Sequence, residues 1–271
     1  MRKINHLLGL CLLLIFTINC GKAQQQINNS PPEDLKIMSY NIHHANPPSK
    51  PEVIDLEAII ATIRQENPDL VALQEVDVRT KRSGQIDQAK LIAEALGMHY
   101  YFEKAIDFDG GEYGQAILSK KPFTNPQVHR LSSVAESKAE PRILVTIDIT
   151  LDNNLSITFA TTHLDAQRNP QNRHLQAKEL ADIAANNNLP MLIAGDLNMT
   201  TDQEAFAILG KVLRPTCTAC GFTIPVINPN KTIDFILTRI QDSWKVVSHQ
   251  VVQEHYASDH LPVTAVLRWI R

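Results

Sequence analysis

The apolar run Leu192-Ile193-Ala194 ends abruptly in Gly195-Asp196-Leu197-Asn198. It follows Pro190 and is too short for a helix, so it reads as a buried strand. A buried strand that terminates in a carboxylate and an amide presents both at the mouth of a core, where they can hold a cation or a water. Gly, Asp and Asn are also ordinary turn residues, and one such ending is compatible with a plain strand-to-turn transition. Four other strand-like runs close in the same way, on Asn41, Glu75, His163 and Asp234, and Asp259-His260 sits just before a sixth. Taken singly, these are a turn former, a solvated strand end, a hydrogen-bonded core histidine and a turn cap. They assemble into one site only if the strand ends converge on one rim of a packed pair of sheets.

The elements that must position them follow from periodicity. Residues 35–42 alternate and are rich in strand formers. Residues 53–66 carry apolar side chains at a helical period and stop at Asn67-Pro68. A second apolar strand, 69–75, is closed by Glu75, and a helix over 85–96 has Gly97 as its C-cap. Residues 113–119 form a strand after the Gly110-Gly111 turn, and 142–151 with 156–162 form a hairpin through Asp152-Asn153-Asn154. A helix over 172–186, the Asp196 strand and a helix over 204–209 come next. Three last strands centre on 233–235, 244–251 and 263–269.

With 271 residues, 44% hydrophobic and 20% charged, the chain can bury a sizeable core. No repeat or linker divides it, so one catalytic domain is expected over residues 33–271. Residues 1–23 have the layout of a secretory leader: Arg2 and Lys3, an apolar run over 7–18, then Cys20-Gly21-Lys22-Ala23. Cleavage after Ala23 gives a soluble exported protein. Cleavage before Cys20 gives a lipid-modified cysteine and a periplasmic or outer-surface protein tethered to a membrane, although Asn19 is not the usual small residue at that junction. Residues 24–32 read as a flexible tether. Loss of the leader removes Arg2, Lys3 and Lys22 and takes the formal net charge from −3 to −6. That balance disfavours nucleic acid as partner, because backbone binding needs a basic footprint. Cys217 and Cys220 form a lone C-x-x-C with no second pair for zinc, so in an exported chain a local disulfide is expected, with two buried thiols as the alternative.

The ordered set Ser39-Tyr40-Asn41, Leu73-Gln74-Glu75, Ala116-Ile117-Leu118-Ser119, Thr162-His163-Leu164, Gly195-Asp196-Leu197-Asn198, Ile233-Asp234-Phe235 and Ser258-Asp259-His260 resembles the endonuclease/exonuclease/phosphatase superfamily. Each piece is short; together they span residues 39–260. The resemblance implies an α/β fold, a four-layered sandwich of two packed mixed β-sheets flanked by helices. It also implies Mg²⁺ or Mn²⁺ and hydrolysis of a phosphoester substrate. On this reading Glu75 is the principal metal ligand, with Asn41 and Asp259 completing the shell. Asp196 orients and deprotonates the attacking water, and Asn198, two residues on and on the same strand face, holds that water or a phosphoryl oxygen. His163 and His260 donate to non-bridging oxygens, and Asp234 fixes the tautomer of His260 and favours its charged form. Tyr113 lies near a phosphate-contacting tyrosine of family members.

Substrate is less legible. Arg79 and Arg82 lie in a segment similar to a bacterial subgroup related to remodelling of glycosylphosphatidylinositol lipids, and can clamp a phosphate bidentately or simply line a solvated loop. The stretches typical of inositol-polyphosphate 5-phosphatases are missing from the sequence. The expectation is a monomeric phosphoester hydrolase, acting outside the cytoplasm on a small, sugar- or lipid-linked phosphate. A secreted nuclease is the alternative.

Overall fold

The structure is a computed structural model that describes residues 34–270. The leader over 1–23, Cys20 and the tether over 24–32 lie outside the described residues. In chain order the elements are β1 (Asp34–Asn41), a 3-10 turn (His43–Ala45), α1 (Leu56–Glu66), β2 (Leu70–Val78), α2 (Gln88–Leu96), β3 (His99–Phe108), β4 (Gly111–Ser119) and β5 (Phe123–Leu131). Then come β6 (Arg142–Thr150), β7 (Ser156–His163), α3 (Gln171–Asn186), β8 (Met191–Asp196), α4 (Glu204–Leu209), β9 (Leu213–Pro215), β10 (Asp234–Arg239), β11 (Trp244–Val251) and β12 (Val263–Trp269). Among the described residues no helix is long and apolar enough to cross a membrane.

Two six-stranded sheets form, in the orders β11-β12-β1-β2-β4-β3 and β5-β6-β7-β8-β10-β9. Each has one parallel pair at its centre, β1 with β2 and β7 with β8, and is otherwise antiparallel. The central strands are apolar on both faces because both faces are covered. Leu35, Ile37, Leu70 and Ala72 of the first sheet share a core with Ile157, Phe159, Leu192, Ala194 and Ile236 of the second. The alternate residues Met38, Tyr40, Val71 and Leu73 pack with Ile59, Ile60, Ile63 and Ile92 of α1 and α2. On the far side Ile193, Phe235 and Leu237 pack with Ala177 and Leu180 of α3 and Phe206 of α4. The result is the expected sandwich of helices, sheet, sheet and helices.

Both early helices start about three residues later than periodicity predicts. Asp55 caps α1 by accepting from Ala58 N–H, and Asp87 caps α2 by accepting from Lys90 N–H. Their ends match the sequence signals, with Asn67 and Gly97 in the left-handed region. Strands β3, β5 and β9 have no counterpart in the sequence analysis. Two strand assignments need correction. Glu75 lies inside β2 rather than closing it, and Asp234 opens β10 rather than ending a strand. The second correction preserves the geometry, because β10 runs antiparallel to β8 and its start lies beside the end of β8, Asp234 opposite Asp196.

A disulfide joins Cys217 to Cys220, with a Cα–Cα distance of 5.0 Å. It lies in the β9–β10 connection, which is pinned to the loop before β12 by Val226 N–H to Asp259 O and Leu261 N–H to Thr223 O. So short a closed loop stabilises only modestly. Thiol titration of the denatured, unreduced protein should find none at these two positions; two reactive thiols there would reject the bond.

Candidate active site

The polar strand ends continue the stripes that build the inter-sheet core. Along β1 the inward series is Leu35, Ile37, Ser39, Asn41; along β7 it is Ile157, Phe159, Thr161, His163; along β8 it is Leu192, Ala194, Asp196; and β10 enters with Asp234 two residues before Ile236. A period of two keeps each polar residue on the face its apolar predecessors bury. His163 pairs laterally with Asp196, and Asp196 with Asp234, so these three form one row across the second sheet. Gly195 permits the strand approach: a Cβ there would lie 2.0 Å from Thr162 O.

Asp196 is at the centre of the cluster and is 1% exposed. Its Oδ1 accepts from Asn198 N–H at 2.8 Å. Its Oδ2 lies 3.2 Å from Asn41 Nδ2, 3.5 Å from His163 Nε2 and 3.8 Å from His260 Nε2. The other ring nitrogen of His260, Nδ1, is 2.9 Å from Asp234 Oδ2 and 3.1 Å from Oδ1. Ser258 donates to Asn41 O at 2.7 Å, which fastens the Asp259-His260 loop to the end of β1.

These contacts separate the charge states. Burial and the neighbouring Asp234 charge raise the Asp196 carboxyl to about 7, against the pull of His260, Asn198 N–H and Asn41. Burial opposes charge on His260, but the Asp234 charge and hydrogen bond outweigh it, with help from Asp196 and Asp259, and the ring is pushed up to about 10. His163 is held well below its usual value by burial, then by Arg142 and His260, and is neutral. A proton acceptor and a cationic donor therefore coexist between about pH 7 and 10. Activity should rise as Asp196 ionises near pH 7 and fall as His260 deprotonates near pH 10. A pH–rate profile with no limb near pH 7 would remove Asp196 as the base.

Glu75 reaches the cluster through a bulge. Between the pairs Leu73–Ala116 and Val76–Gly114, β2 carries one extra residue, and Glu75 adopts φ 58°. Its Oε1 accepts from Asn41 Nδ2 at 3.0 Å, so the Asn41 amide bridges Glu75 to Asp196. For a divalent cation the donors fit: the half-buried Glu75 carboxylate is a hard oxygen ligand. Asn41 Oδ1, which accepts His43 N–H at 3.1 Å, retains a second lone pair. Asp259 is half-buried, with Oδ1 3.5 Å from Ser258 Oγ.

Two histidines absent from the sequence analysis adjoin Glu75. His43 and His44 follow β1 after the single residue Ile42, and both carry a positive φ, 45° and 43°. That turn brings the two rings to a centroid distance of 4.5 Å on the same side as Glu75. In a regular strand two successive side chains would have faced opposite ways. A second ligand-capable group, Asp196, Asp234 and His260, lies on the other side of Asn41.

The remaining residues singled out in the sequence fall at different depths. Asn198 has φ 49° and lies in the turn past β8, so strand alternation does not orient it. Its Nδ2 donates to Leu164 O at 3.0 Å, and its backbone N–H turns back onto Asp196. The Arg82 guanidinium is committed bidentately to buried Asp77, at 2.7 and 2.8 Å, and stacks 4.3 Å from the centroid of Phe108 and 5.4 Å from that of Tyr113. Arg79 is not brought to the cluster. Its side chain is 70% exposed, 3.9 Å from Glu112. The Tyr113 hydroxyl is pushed up by burial and then by the Glu75 and Glu140 charges. Buried Arg142, which the sequence did not single out, lies within electrostatic reach of both His163 and Tyr113.

Solved structures share this architecture. An endonuclease/exonuclease/phosphatase from Beutenbergia cavernae superposes with a TM-score of 0.74 at 24% identity, covering 87% of this chain and 72% of that one. A family protein from Bacteroides thetaiotaomicron gives 0.73 at 21%, covering 89% and 100%. A mannosyl-6-phosphatase from Bacteroides thetaiotaomicron gives 0.68 at 22%, covering 86% and 99%. None of the curated proteins compared with the chain matches it. The family model described as Endonuclease/Exonuclease/phosphatase family matches residues 38–260, a span that opens three residues before Asn41 and closes on His260. With the sandwich, the row of polar strand ends and this match in agreement, the chain belongs to the endonuclease/exonuclease/phosphatase family, whose members are divalent-metal-dependent hydrolases of phosphoester bonds.

Proposed function

We propose that this chain hydrolyses a small, sugar- or lipid-linked phosphoester outside the cytoplasm, with a divalent cation at Glu75 supported by Asn41 and Asp259. The observation that carries the hydrolytic reading is the convergence of Asp196, Asp234 and His260 on one side of Asn41 and Glu75 on the other. A bound cation supplies positive charge at the phosphoryl and leaving oxygens. Asp196 takes the proton of the attacking water. Asn198 fixes the orientation of that carboxylate through its backbone N–H. Neutral His163 and cationic His260 donate hydrogen bonds to oxygens on which charge develops, and Asp234 holds His260 in its charged form.

Three observations support the substrate class and location. The leader pattern in residues 1–23 supports export, with the domain either released after Ala23 or tethered through Cys20. The formal charge of −6 without that leader is a poor match for a nucleic-acid backbone. A mannosyl-6-phosphatase among the structures of similar fold is consistent with a sugar phosphate. The test compares kcat/KM for hexose phosphates, a chromogenic phosphodiester, phosphatidylinositol-type lipids, sphingomyelin, and duplex and single-stranded DNA at one salt concentration. Activity should vanish in EDTA, return with a divalent cation, and favour the small or lipid-linked esters. Efficient DNA cleavage that falls steeply with salt, with the others untouched, would replace this reading with a secreted nuclease.

A further inference from the structure

We propose that His43, His44 and Glu75 form a two-histidine, one-carboxylate cation centre, and that this centre takes a first-row transition ion in preference to Mg²⁺. One potential ligand atom from each residue lies within 4.8 Å of the others, close enough to be drawn around a single ion. The local backbone is shaped to bring them together, since His43, His44 and Ala45 are three consecutive non-glycine residues with positive φ, at 45°, 43° and 59°. That conformation is costly for ordinary side chains and needs surrounding contacts to hold it. Asn46 Nδ2 supplies some of them by donating to Pro51 O at 2.9 Å and Val53 O at 2.7 Å, and Gln88 Nε2 donates to His44 O at 2.7 Å.

Each histidine keeps one ring nitrogen with a lone pair for ligation. His43 Nδ1 is 2.9 Å from Asn46 O, a carbonyl that can only accept, so Nδ1 carries the proton and Nε2 keeps its lone pair. Metal-bound histidines are commonly oriented by such a second hydrogen bond to a carbonyl. His44 Nδ1 is buried and has no hydrogen-bond partner among the described residues, an expense in free energy that a ligand would relieve. The third donor, Glu75, is held by Asn41, which also contacts Asp196, so an ion here sits one side chain away from the proton acceptor.

The donor set decides the ion. Mg²⁺ favours oxygen and keeps its waters, whereas imidazole nitrogen favours the later ions of the first row, with affinity rising from Mn²⁺, the weakest of the series, to Cu²⁺ and falling again at Zn²⁺. Two histidines and one carboxylate leave coordination positions open for water and substrate oxygen. The inference rests on the hydrolase reading only for the use to which the ion is put; the binding itself is independent of it.

Mn²⁺ added to the full chain tests it directly. Pulsed EPR should resolve ¹⁴N couplings from two imidazoles, and Mn²⁺ should displace Mg²⁺ in competition. His43→Gln and His44→Gln should each weaken Mn²⁺ binding by at least about 10-fold while leaving Mg²⁺ binding little changed. An all-oxygen coordination in the folded wild-type protein overturns the centre, and so does unchanged Mn²⁺ affinity in both variants. Nitrogen couplings without phosphoester turnover uphold the centre and count against the hydrolase reading instead. Hydrolysis supported by Mg²⁺ with oxygen-only coordination does the reverse.

Discussion

Asp196→Asn should lower kcat by about 10²–10⁴-fold, the range expected when a positioned general base is lost. The upper end corresponds to about 5.5 kcal/mol of transition-state stabilisation. The substitution is nearly isosteric, and the new amide oxygen can still accept Asn198 N–H, so the turn after β8 survives. The carboxylate it replaces is already raised to about 7 by burial and by Asp234, so the fold does not depend on a charge there at neutral pH. Cation binding at Glu75 should persist, because that carboxylate has its own contact with Asn41. The expected pattern is therefore a fall in kcat, a thermal midpoint within a few degrees of wild type, retained cation binding and loss of the limb near pH 7. A kcat within tenfold of wild type, with the cation bound, would mean that another group takes the proton.

The legibility of this site in the sequence follows from how each residue reaches it. Asn41, His163 and Asp196 end apolar strands, and a strict period of two extends the core stripe onto them, so an apolar run and its final residue place both element and side chain. Asp234 reads in the sequence as the closing residue of an apolar run, but its strand starts there and runs the other way, and polarity along a strand does not encode direction. Glu75 depends on a bulge in β2, whose extra residue has no composition signal. His43 and His44 depend on three left-handed residues in succession, none of them glycine, so the usual mark of that conformation is missing. The strands left out of the sequence analysis, β3, β5 and the three-residue β9, lie at sheet edges, and β3 and β5 have half-solvated patterns that include Lys104, Asp107, Asn125 and Gln127. Their polar faces hide the alternation that marks the central strands. Arg79 and Arg82 show the opposite failure: a plausible anion clamp by residue type, of which one arm is spent on Asp77 and the other is exposed beside Glu112.

Asp234→Asn should lower kcat at pH 8 by about 10²–10⁴-fold while leaving the protein folded, and the loss should be strongly non-additive with His260→Ala. Asp234 is a positioning residue that holds the His260 ring through both carboxylate oxygens. Once His260 is gone there is little left for Asp234 to position, so the double variant should be no slower than His260→Ala by more than a small factor. A purely structural role would lower stability without moving the pH profile. Here the profile must move, in a direction fixed by the electrostatics. The Asp234 charge raises His260, so removing it lowers the pH at which the ring loses its proton. The same charge raises Asp196, so removing it lets that carboxyl ionise at lower pH. Both limbs of the Asp234→Asn profile should therefore shift toward acid, carrying the optimum with them, rather than one limb collapsing onto the other. Additive losses in the double-mutant cycle, or an optimum that stays in place, would mean that Asp234 and His260 do not act as one unit.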